Sequence, residues 1–517
     1  MTGLTRRLLM ASAAVAIMAA PNLASSQDGN VEVTYVLYDT IDVFGDPVMN
    51  VNYAEQMVTK AMFEPLIWDF DARTQSSELR PALATDWELI DDLRWRFYLR
   101  EGVTFHNGAP FNAEAVKFSI ERVHAPDFPS GDKFLGVPIS HVEIIDDYTV
   151  DIVTNEPVPV LPSTLTRNGA FILEPGHYSE LSIEEARSNP VGTGPYKLAE
   201  YRPDDRMILE RHDDYWGWPD KANIDRLITR QIPEESTALA ELLDGRADIV
   251  RIRPDMVETV QEADGVDTII APSLVRGMLG FNLQMYPKME DPRVRRALNY
   301  AIDRDSMIDA LAFGEHDLKM KNVVNPPHDH PDLEPYPYDP DRARELLAEA
   351  GYPDGFTIDT IDVMMPEAFD YAEIVAQYWR MIGIDLGEVR QLDWTVVRER
   401  WAQRTLSVHA FPWSAAENTP QTDMWAVSDR RQTNSTHWLH DEFEEIYAQI
   451  MTEMDDEKRQ QLNYRAQEIL HEDPPWVYLY LPPITMGVRE RIGGYYPDPS
   501  ILLEDWASIY IEEDYLN

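Results

Sequence analysis

The spacing of apolar residues between positions 276 and 314 predicts a strand followed by a long helix. Residues 278–283 are apolar enough for a buried strand, and Pro287 interrupts the run. Asp291 followed by Pro292 is typical of a helix start, because aspartate accepts hydrogen bonds from the first backbone N–H groups and proline fits the first turn. After this start the apolar residues recur at helical spacing, at Val294, Leu298, Ala301, Ile302, Ile308 and Leu311. A strand that leads through an extended connector into such a helix is how a chain leaves one lobe and begins another.

Strands and helices alternate along two long parts of the chain. The first part has a strand at 31–38, a helix at 234–243 and a further strand after Gly245. The second part has strands and helices that alternate at 356–363, 369–381, 384–389, 394–403 and 408–413. This alternation predicts α/β lobes with a largely parallel sheet.

Between residues 79 and 153 the pattern changes to antiparallel pairs. Two predicted strands flank an acidic turn at 91–92, Asn112 caps a helix, and 142–153 predicts another hairpin. This part of the chain therefore has its own block of antiparallel strands with one helix.

The length and the charge limit the architecture and the partners of the protein. With 517 residues the chain is longer than one hydrophobic core serves, which predicts two or three lobes of roughly 100–200 residues each. It has 45 basic and 91 acidic side chains, and without Arg6 and Arg7 of the N-terminal segment the balance is 43 against 91, or −48. Nucleic acids and anionic membrane surfaces need clustered Lys or Arg, so we expect neither as a partner. The absence of cysteine excludes disulfides, thiolate zinc sites, thiol catalysis and attachment of lipid at a lipobox.

Residues 1–27 have the pattern of an export signal. Arg6 and Arg7 precede an apolar run at 8–20 that is shorter than the ~20 residues of a membrane span, and small residues at 24–26 suit cleavage before Gln27. The paired arginines fit either the Sec or the twin-arginine route. We therefore expect a periplasmic protein that is not lipid-anchored.

Four stretches of the chain are similar to one protein family. They are FNLQMYPKMEDPRVRRALNYAIDRDSMI (281–308), GVTFHNGAPF (102–111), NPVGTGPYKL (189–198) and YDPDRARELLAEAGYPDG (338–355). These stretches resemble the family 5 extracellular solute-binding proteins, the peptide, nickel and oligosaccharide receptors of bacterial ABC importers. The resemblance covers nearly the whole chain after the export signal.

The resemblance implies an α/β fold, a two-lobed periplasmic-binding-protein clamp of type II with an extra α+β accessory domain inserted in lobe one. The implied domains are lobe one at 28–71, 187–277 and 479–517, the accessory domain at 72–186, and lobe two at 278–478.

Motifs for catalysis, phosphate binding and metal binding are weak in this sequence. The glycine pair at 192–194 has no following Lys-Ser or Lys-Thr and leads into a strand, which favours a tight turn over a phosphate cradle. His328 and His330 have a spacing that a pair of metal ligands can use, but a third ligand is not identified. Neither a Gly-x-Ser-x-Gly nor a His-Glu-x-x-His motif occurs. We therefore expect no enzymatic activity, no cofactor and no metal.

Trp413 is the strongest candidate for a ligand contact. It ends the predicted strand 408–413, and ligands of open α/β sheets lie at the carboxyl ends of strands. Peptide receptors of the family resemble one another in a string W-x-A-D-Y, whose aspartate pairs with the peptide ammonium. The corresponding string here is WSAAE (413–417), with Ala416 at the aspartate position. An ammonium left unpaired in a dry cleft would cost several kcal/mol.

The expected ligand-binding residues come from both lobes. They are Trp413 as an aromatic platform, Glu417 and Asn418 as hydrogen-bonding groups, Trp401 in a subsite, Asn282 on the hinge side, and Asp39 and Thr40 from lobe one. Two ligand classes stay open, since the family favours a peptide, whereas Ala416 and the additional tryptophan favour a neutral oligosaccharide or another polar solute. The alternative from a different functional class is a secreted hydrolase. Such an enzyme would turn over its substrate and would have two carboxylates facing one another in a cleft.

The resemblance implies a periplasmic receptor that works without covalent chemistry. A small-molecule or oligopeptide ligand bridges the lobes, closure about connectors near 279–284 and 475–483 buries it, and the closed form docks on the permease subunits of an ABC transporter. We expect the protein to be a monomer.

Overall fold

The computed structural model describes residues 30–49, 53–123, 137–312, 318–414, 419–429, 435–501 and 504–516. The strands of this part are, in chain order, β1 Glu32–Leu37, β2 Ile67–Trp68, β3 Arg80–Pro81, β4 Ala84–Asp91, β5 Arg94–Leu99, β6 Ile139–Asp146, β7 Thr149–Thr154, β8 Tyr196–Arg202, β9 Arg206–Arg211, β10 Arg226–Gln231, β11 Ile249–Arg251, β12 Val266–Ala271, β13 Arg276–Gly280, β14 Thr357–Val363, β15 Asp385–Gln391, β16 Val408–Trp413, β17 Trp476–Tyr480, β18 Ile484–Arg489, β19 Ile492–Gly493 and β20 Tyr510–Ile511. The α-helices are α1 Tyr53–Met62, α2 Ala113–Val123, α3 Leu161–Thr164, α4 Pro175–Glu180, α5 Ile183–Ala186, α6 Glu235–Leu243, α7 Val257–Gln261, α8 Pro292–Tyr300, α9 Arg304–Ala312, α10 Pro340–Glu349, α11 Phe369–Met381, α12 Trp394–Gln403, α13 Pro420–Trp425, α14 Asp441–Ile450 and α15 Asp456–Glu472.

The first large sheet belongs to lobe one and has the strand order β12-β18-β11-β1-β10-β9-β8. Strand β1 is parallel to β10 and β11, and the other neighbouring pairs are antiparallel. The sheet is therefore mixed, and the prediction of a largely parallel sheet is wrong for this lobe. Strands β8 and β9, for example, follow one another as an antiparallel hairpin, and a hairpin needs no crossover helix. Its core joins strand residues such as Tyr35 and Leu209 to Met57 of α1 and to Trp506 near the end of the chain.

The second large sheet belongs to lobe two and has the order β15-β14-β16-β13-β17. Strand β14 is parallel to β15 and β16, whereas β13 is antiparallel to β16 and β17. The core of this lobe contains Ile361 of the sheet, Leu298 of α8 and Trp379 of α11. The Trp379 indole N–H donates to the backbone oxygen of Leu298 at 3.0 Å, so the buried indole keeps its hydrogen bond.

The chain passes between the two large sheets twice. It leaves the first sheet after Ala271 and enters the second at Arg276, and it returns between Tyr480 and Ile484. The second sheet therefore extends two residues beyond each of the lobe-two limits expected at 278 and 478. The first difference arises because Arg276, a charged residue, begins β13 in a fully buried position.

A third, four-stranded sheet forms between β1 and β8 in the chain. Its order is β4-β5-β7-β6, all pairs are antiparallel, and α2 packs on it over a core that includes Phe97, Val116 and Ile152. Its strands all fall within the range 72–186 that the sequence predicts for the accessory domain.

The helix predicted after Asp291 is present, but it is two helices. Asp291 caps α8 by accepting a hydrogen bond from the Arg293 backbone N–H at 2.9 Å, and Pro292 is the first helical residue. Helix α8 ends at Tyr300. Asp303 directly precedes α9, and its side chain accepts a hydrogen bond from the backbone N–H of Ser306, within α9, at 3.1 Å. One apolar stripe thus continues across two capped helices.

Candidate functional site

Direct contacts join the two lobes. The Nη2 atom of Arg253, which follows β11 of lobe one, lies 3.7 Å from the Oδ2 atom of Asp370 in α11 of lobe two. The Ser414 hydroxyl, directly after β16, donates to the backbone oxygen of Ser500 in the C-terminal part of lobe one at 3.1 Å. The lobes are therefore in contact in this conformation.

Trp413 ends β16, as the sequence predicts, and lobe two holds its indole in place. It pairs with Arg276 of the neighbouring strand β13, and the Arg276 guanidinium carbon lies 4.6 Å from the centre of the Trp413 ring. The Trp476 ring centre lies 6.5 Å away in an edge-to-face arrangement. The indole is only half-buried, so part of a rigidly packed aromatic surface stays accessible.

Arg276 and Asp423 form an ion pair that is sealed from solvent. The Arg276 Nη2 atom donates to the Asp423 carboxylate, and its Nε and Nη1 atoms donate to two backbone carbonyl oxygens at 2.7 and 3.0 Å. Burial lowers the pKa of Arg276, and the charge of Asp423 acts in the opposite direction. Because Asp423 belongs to α13, the pair fixes α13 to the start of β13. It thereby anchors α13, the next helix in the sequence after Trp413.

Asp39 and Thr40 follow β1 and are exposed. Although Asp39 reaches solvent, the surrounding protein removes part of its hydration, which raises the pKa of this carboxyl. Repulsion from Glu367, a residue of lobe two, raises it further, and Arg251 lowers it. A residue of each lobe therefore influences the charge at this edge of the cleft.

The other expected site residues lie deeper or outside the described part. Trp401 of α12 is half-buried, packs against the core of lobe two and has its ring centre 5.9 Å from that of Phe411. Asn282 is buried, its Nδ2 atom donates to the Leu406 backbone oxygen at 2.5 Å, and its Oδ1 atom accepts from the backbone N–H of Met285 at 2.9 Å. Because the side chain is only 2% exposed, a ligand in the cleft has little access to it. Glu417 and Asn418 lie outside the described residues.

A cavity of about 310 Å³ lies between the lobes. Its wall contains Asp69 of lobe one, Ser163 of the accessory domain, Leu274 of the first crossing segment, and Gln421 and Asn463 of lobe two. All three domains therefore contribute to one cavity, which lies beside a segment that connects the lobes.

Gln421 and Asn463 line this cavity but are not among the site residues expected from the sequence. Gln421 lies in α13, which begins at Pro420 and is capped by Thr419, whose hydroxyl accepts from the Thr422 backbone N–H at 3.3 Å. The signal was available, because Thr419-Pro420 repeats the cap-and-proline pattern of Asp291-Pro292. Asn463 offered no such signal, since a polar residue within an amphipathic helix is usually on its solvated face.

The two histidines with metal-ligand spacing have other contacts. The His330 Nδ1 atom accepts from the Asp332 backbone N–H at 3.1 Å, and its Nε2 atom lies 3.8 Å from Glu468. In the described ranges, no three or more His, Asp or Glu side chains are grouped in a way that could hold a metal ion. None of the helices that the structure describes has the length and apolar character needed to span a bilayer.

Known proteins with this architecture are similar along almost the entire chain. Heme-binding protein A of Haemophilus influenzae is 28% identical over 459 residues, which are 82% of this chain and 83% of that protein. The dipeptide-binding protein of Escherichia coli K12 is 28% identical over 458 residues, 82% of this chain and 85% of that protein. The solved structure of the ABC transporter-associated periplasmic binding protein DppA from Helicobacter pylori, in complex with the peptide STSA, has a TM-score of 0.78 at 26% identity and covers 94% of this chain and 99% of that chain.

These similarities confirm the expected fold, a type II periplasmic-binding-protein clamp. The family model for bacterial extracellular solute-binding proteins, family 5, middle, matches residues 78–435. The chain therefore belongs to family 5 of the bacterial extracellular solute-binding proteins.

Proposed function

We propose that the protein is the periplasmic receptor of an ABC importer, which captures a peptide or peptide-like solute between its lobes and delivers it to the permease subunits. The observation that carries this proposal is the cavity of about 310 Å³, which has walls from both lobes and lies beside the crossing at Leu274. This volume is at the lower end of the range of about 300–1,000 Å³ for small-molecule sites. A solute that contacts both lobes binds the closed arrangement better than the open one, and so it stabilises closure.

The relatives support a peptide as the first candidate solute. One curated relative is named a dipeptide-binding protein, and the structure from Helicobacter pylori holds a four-residue peptide. The volume of the cavity favours a short peptide over a long one. The heme-binding relative is the counterexample within the same family, so the fold alone does not fix the solute.

A neutral oligosaccharide or another polar solute is the second candidate, and the sequence at 413–417 favours it. Ala416 stands where peptide receptors of the family have an aspartate, so the usual partner of a peptide ammonium is missing at this position. Trp413 and Trp401 offer aromatic surface, which suits the apolar faces of sugar rings as well as peptide side chains.

The proposed ligand contacts come from both lobes. We assign to them Trp413 as the platform, Glu417, Asn418, Trp401 and Asn282 from lobe two, and Asp39 and Thr40 from lobe one. We place the hinges at 272–275 and 481–483, where the chain changes sheet. This corrects the connectors expected near 279–284 and 475–483, because 279–280 belong to β13 and 476–480 to β17, and both strands lie inside the second sheet. The arginine pair and apolar run at 6–20 support export to the periplasm, where the closed monomer would meet the permease.

Native mass spectrometry of the protein purified from a periplasm tests the proposal. We expect a discrete mass above that of the denatured chain, and fragmentation of the released solute separates a peptide from a sugar. A second measurement is a thermal-shift screen with dipeptides and with oligosaccharides, in which a solute at 100 times its dissociation constant adds about 2.7 kcal/mol of stability. No bound mass and no stabilisation by either set would contradict the proposal. Cleavage of a bound solute during incubation would instead indicate a hydrolase.

A further inference from the structure

We infer that closure of the two lobes is coupled to proton uptake, because closure brings carboxylates of lobe two against carboxylates of lobe one with too few basic side chains to compensate them. A fall in pH then favours the closed arrangement, and a rise in pH favours the open one. This inference rests on the proposed function, in which the lobes close around a solute, and it adds regulation of that movement by pH.

The charged groups of lobe one lie at the carboxyl ends of its parallel strands. Strand β1 is parallel to both β10 and β11, so these three strands end at the same edge of the sheet. Asp39 follows β1, and Glu235 begins α6 shortly after β10. Arg251 ends β11, and Arg253 follows it. This edge meets lobe two, since Arg253 contacts Asp370 of α11.

Three carboxylates share the guanidinium of Arg253. Its Nε atom lies 3.1 Å from the Oδ1 atom of Asp255 and 3.8 Å from the Oε2 atom of Glu235, both in lobe one. Its Nη2 atom lies 3.7 Å from the Oδ2 atom of Asp370 in lobe two. One positive charge therefore lies among three negative charges, and one of the three belongs to the other lobe.

Glu367 adds a second negative charge from lobe two. It belongs to a short 3-10 helix, Pro366–Ala368, that directly precedes α11, and it lies three residues before Asp370, which is about one helical turn. These two carboxylates meet a surface of lobe one that has three carboxylates and two guanidiniums. Closure therefore brings together more negative charge than the guanidiniums of this surface compensate.

Asp39 is influenced by charged groups of three other elements. Burial raises the pKa of its carboxyl, and repulsion from Glu367 of lobe two and from Glu55 of α1 raises it further. Arg251 of β11 lowers this pKa. Glu55 stays with lobe one, since its Oε1 atom accepts from the backbone N–H of Val43 at 2.9 Å. The repulsion from Glu367 is therefore the charge effect that is lost when the lobes separate.

Glu235 is influenced in the same direction. Burial raises the pKa of its carboxyl, and repulsion from Glu367 of lobe two and Asp255 of lobe one raises it further. Arg253 and Arg251 lower it, but the net shift is upward. Because these carboxyls of lobe one hold a proton more readily when Glu367 is near, the closed arrangement binds more protons than the open one. The resulting preference for closure is present at low pH and is lost as the pH rises through the raised pKa values.

Small-angle X-ray scattering of the solute-free mature protein at about pH 4.5 and about pH 7.5 tests this inference. We expect a smaller radius of gyration at the lower pH. The ratio of closed to open molecules should change by at most about tenfold per pH unit for each proton taken up. Glu367→Gln removes the charge that lobe two brings to Asp39 and Glu235. This variant should be more compact than the wild type at the higher pH, and its radius should change less between the two conditions.

Glu262→Gln is the matched control. Strands β11 and β12 are both antiparallel to β18, so α7 runs from the edge that carries Arg253 to the opposite edge of the sheet, and the exposed Glu262 follows its last residue. This variant should keep the pH dependence of the wild type. Asp39→Asn should resemble Glu367→Gln. Since these two charges act on one another, the double variant should change the radius by less than the sum of the two single changes.

The outcomes separate failure of this inference from failure of the proposed function. Equal pH dependence of the wild type and Glu367→Gln, or none in either, would overturn the inference. If the thermal-shift screen nevertheless finds a stabilising dipeptide or oligosaccharide, the receptor function stands, whereas the absence of any such solute would overturn both. If the circular dichroism spectrum of either protein changes at the lower pH, the comparison at the higher pH decides. A Glu367→Gln protein that is no more compact than the wild type there would overturn the inference.

Discussion

The guanidinium of Arg276 and the carboxylate of Asp423 meet inside lobe two, where their side chains are 1% and 0% exposed. The two residues are 147 positions apart in the chain, and they fix the start of β13 to α13. Arg276 also lies against the Trp413 ring, so the ion pair holds the guanidinium on which the Trp413 indole packs.

Replacing Arg276 with methionine should lower the free energy of unfolding by about 3–5 kcal/mol, because Asp423 would keep a buried charge without its partner. Equilibrium unfolding in urea measures the loss. The double variant Arg276→Met/Asp423→Asn should recover part of it. Lys458→Gln is the control, since Lys458 forms an exposed ion pair with Asp455. A loss below about 1 kcal/mol for Arg276→Met would contradict a stabilising role of the pair.

Trp413→Ala should weaken binding of the solute by about tenfold or more while the fold stays intact, because it removes a rigid aromatic surface at the cleft. Trp413→Phe should retain part of the affinity. Trp394→Ala removes an indole that is 50% exposed at the start of α12 and should leave affinity unchanged. Calorimetric titration with the solute recovered from the purified protein gives all three values. An unchanged dissociation constant for Trp413→Ala would remove this residue from the site.

Arg253→Gln should shift the solute-free protein toward the open arrangement with little effect on folding. The pair with Asp370 joins the lobes, but the two side chains are 49% and 61% exposed, so its contribution is only about 0–1 kcal/mol. Small-angle X-ray scattering should give a larger radius of gyration for the solute-free variant than for the wild type at low salt. The two proteins should agree when solute is bound. Identical solute-free values would mean that this pair does not bias closure.

The buried carboxyl of Glu504 predicts a dependence of stability on pH. Burial, together with the nearby charge of Asp498, raises the pKa of Glu504 to about 8, from an ordinary value of 4.5. Between these two values the folded protein keeps a proton that the unfolded chain releases, so this residue makes stability fall as the pH rises from about 4.5 to 8.

Glu504→Gln should remove this contribution. The stability difference between the variant and the wild type should grow between pH 5 and pH 8 in favour of the variant, by at most about 1.4 kcal/mol per pH unit. Thermal or urea unfolding across this range measures it, with the exposed Glu262→Gln as control. Parallel curves for Glu504→Gln and the wild type would show that Glu504 is ionised in the folded protein.

Local signals in the sequence were sufficient for most elements of the fold. The Asp291-Pro292 pattern marked the start of α8, and apolar strands of the second lobe were found because their burial gives continuous apolar runs. The start of β13 was predicted too late, because a search for apolar residues does not include Arg276, although its side chain is buried. Only the distant residue Asp423 makes its burial possible.

The candidate site was less predictable than the fold. Trp413 could be identified because the sequence shows where its strand ends, and ligands of open α/β sheets bind at the carboxyl ends of strands. Gln421 and Asn463 could not, because the cavity between them exists only after α13 and α15 pack near the first lobe. The direction in which an amide on an amphipathic helix points is decided by that packing.

Closure of the two lobes around a solute is the central claim, and a distance measurement between them tests it most directly. The chain has no cysteine, so Glu258→Cys in α7 of lobe one and Gln377→Cys in α11 of lobe two, both at exposed positions, provide two specific sites for spin labels. Double electron–electron resonance should give a long, broad distance distribution without solute and a shorter, narrower one with saturating solute. A distribution that stays unchanged while calorimetry records binding would contradict the account.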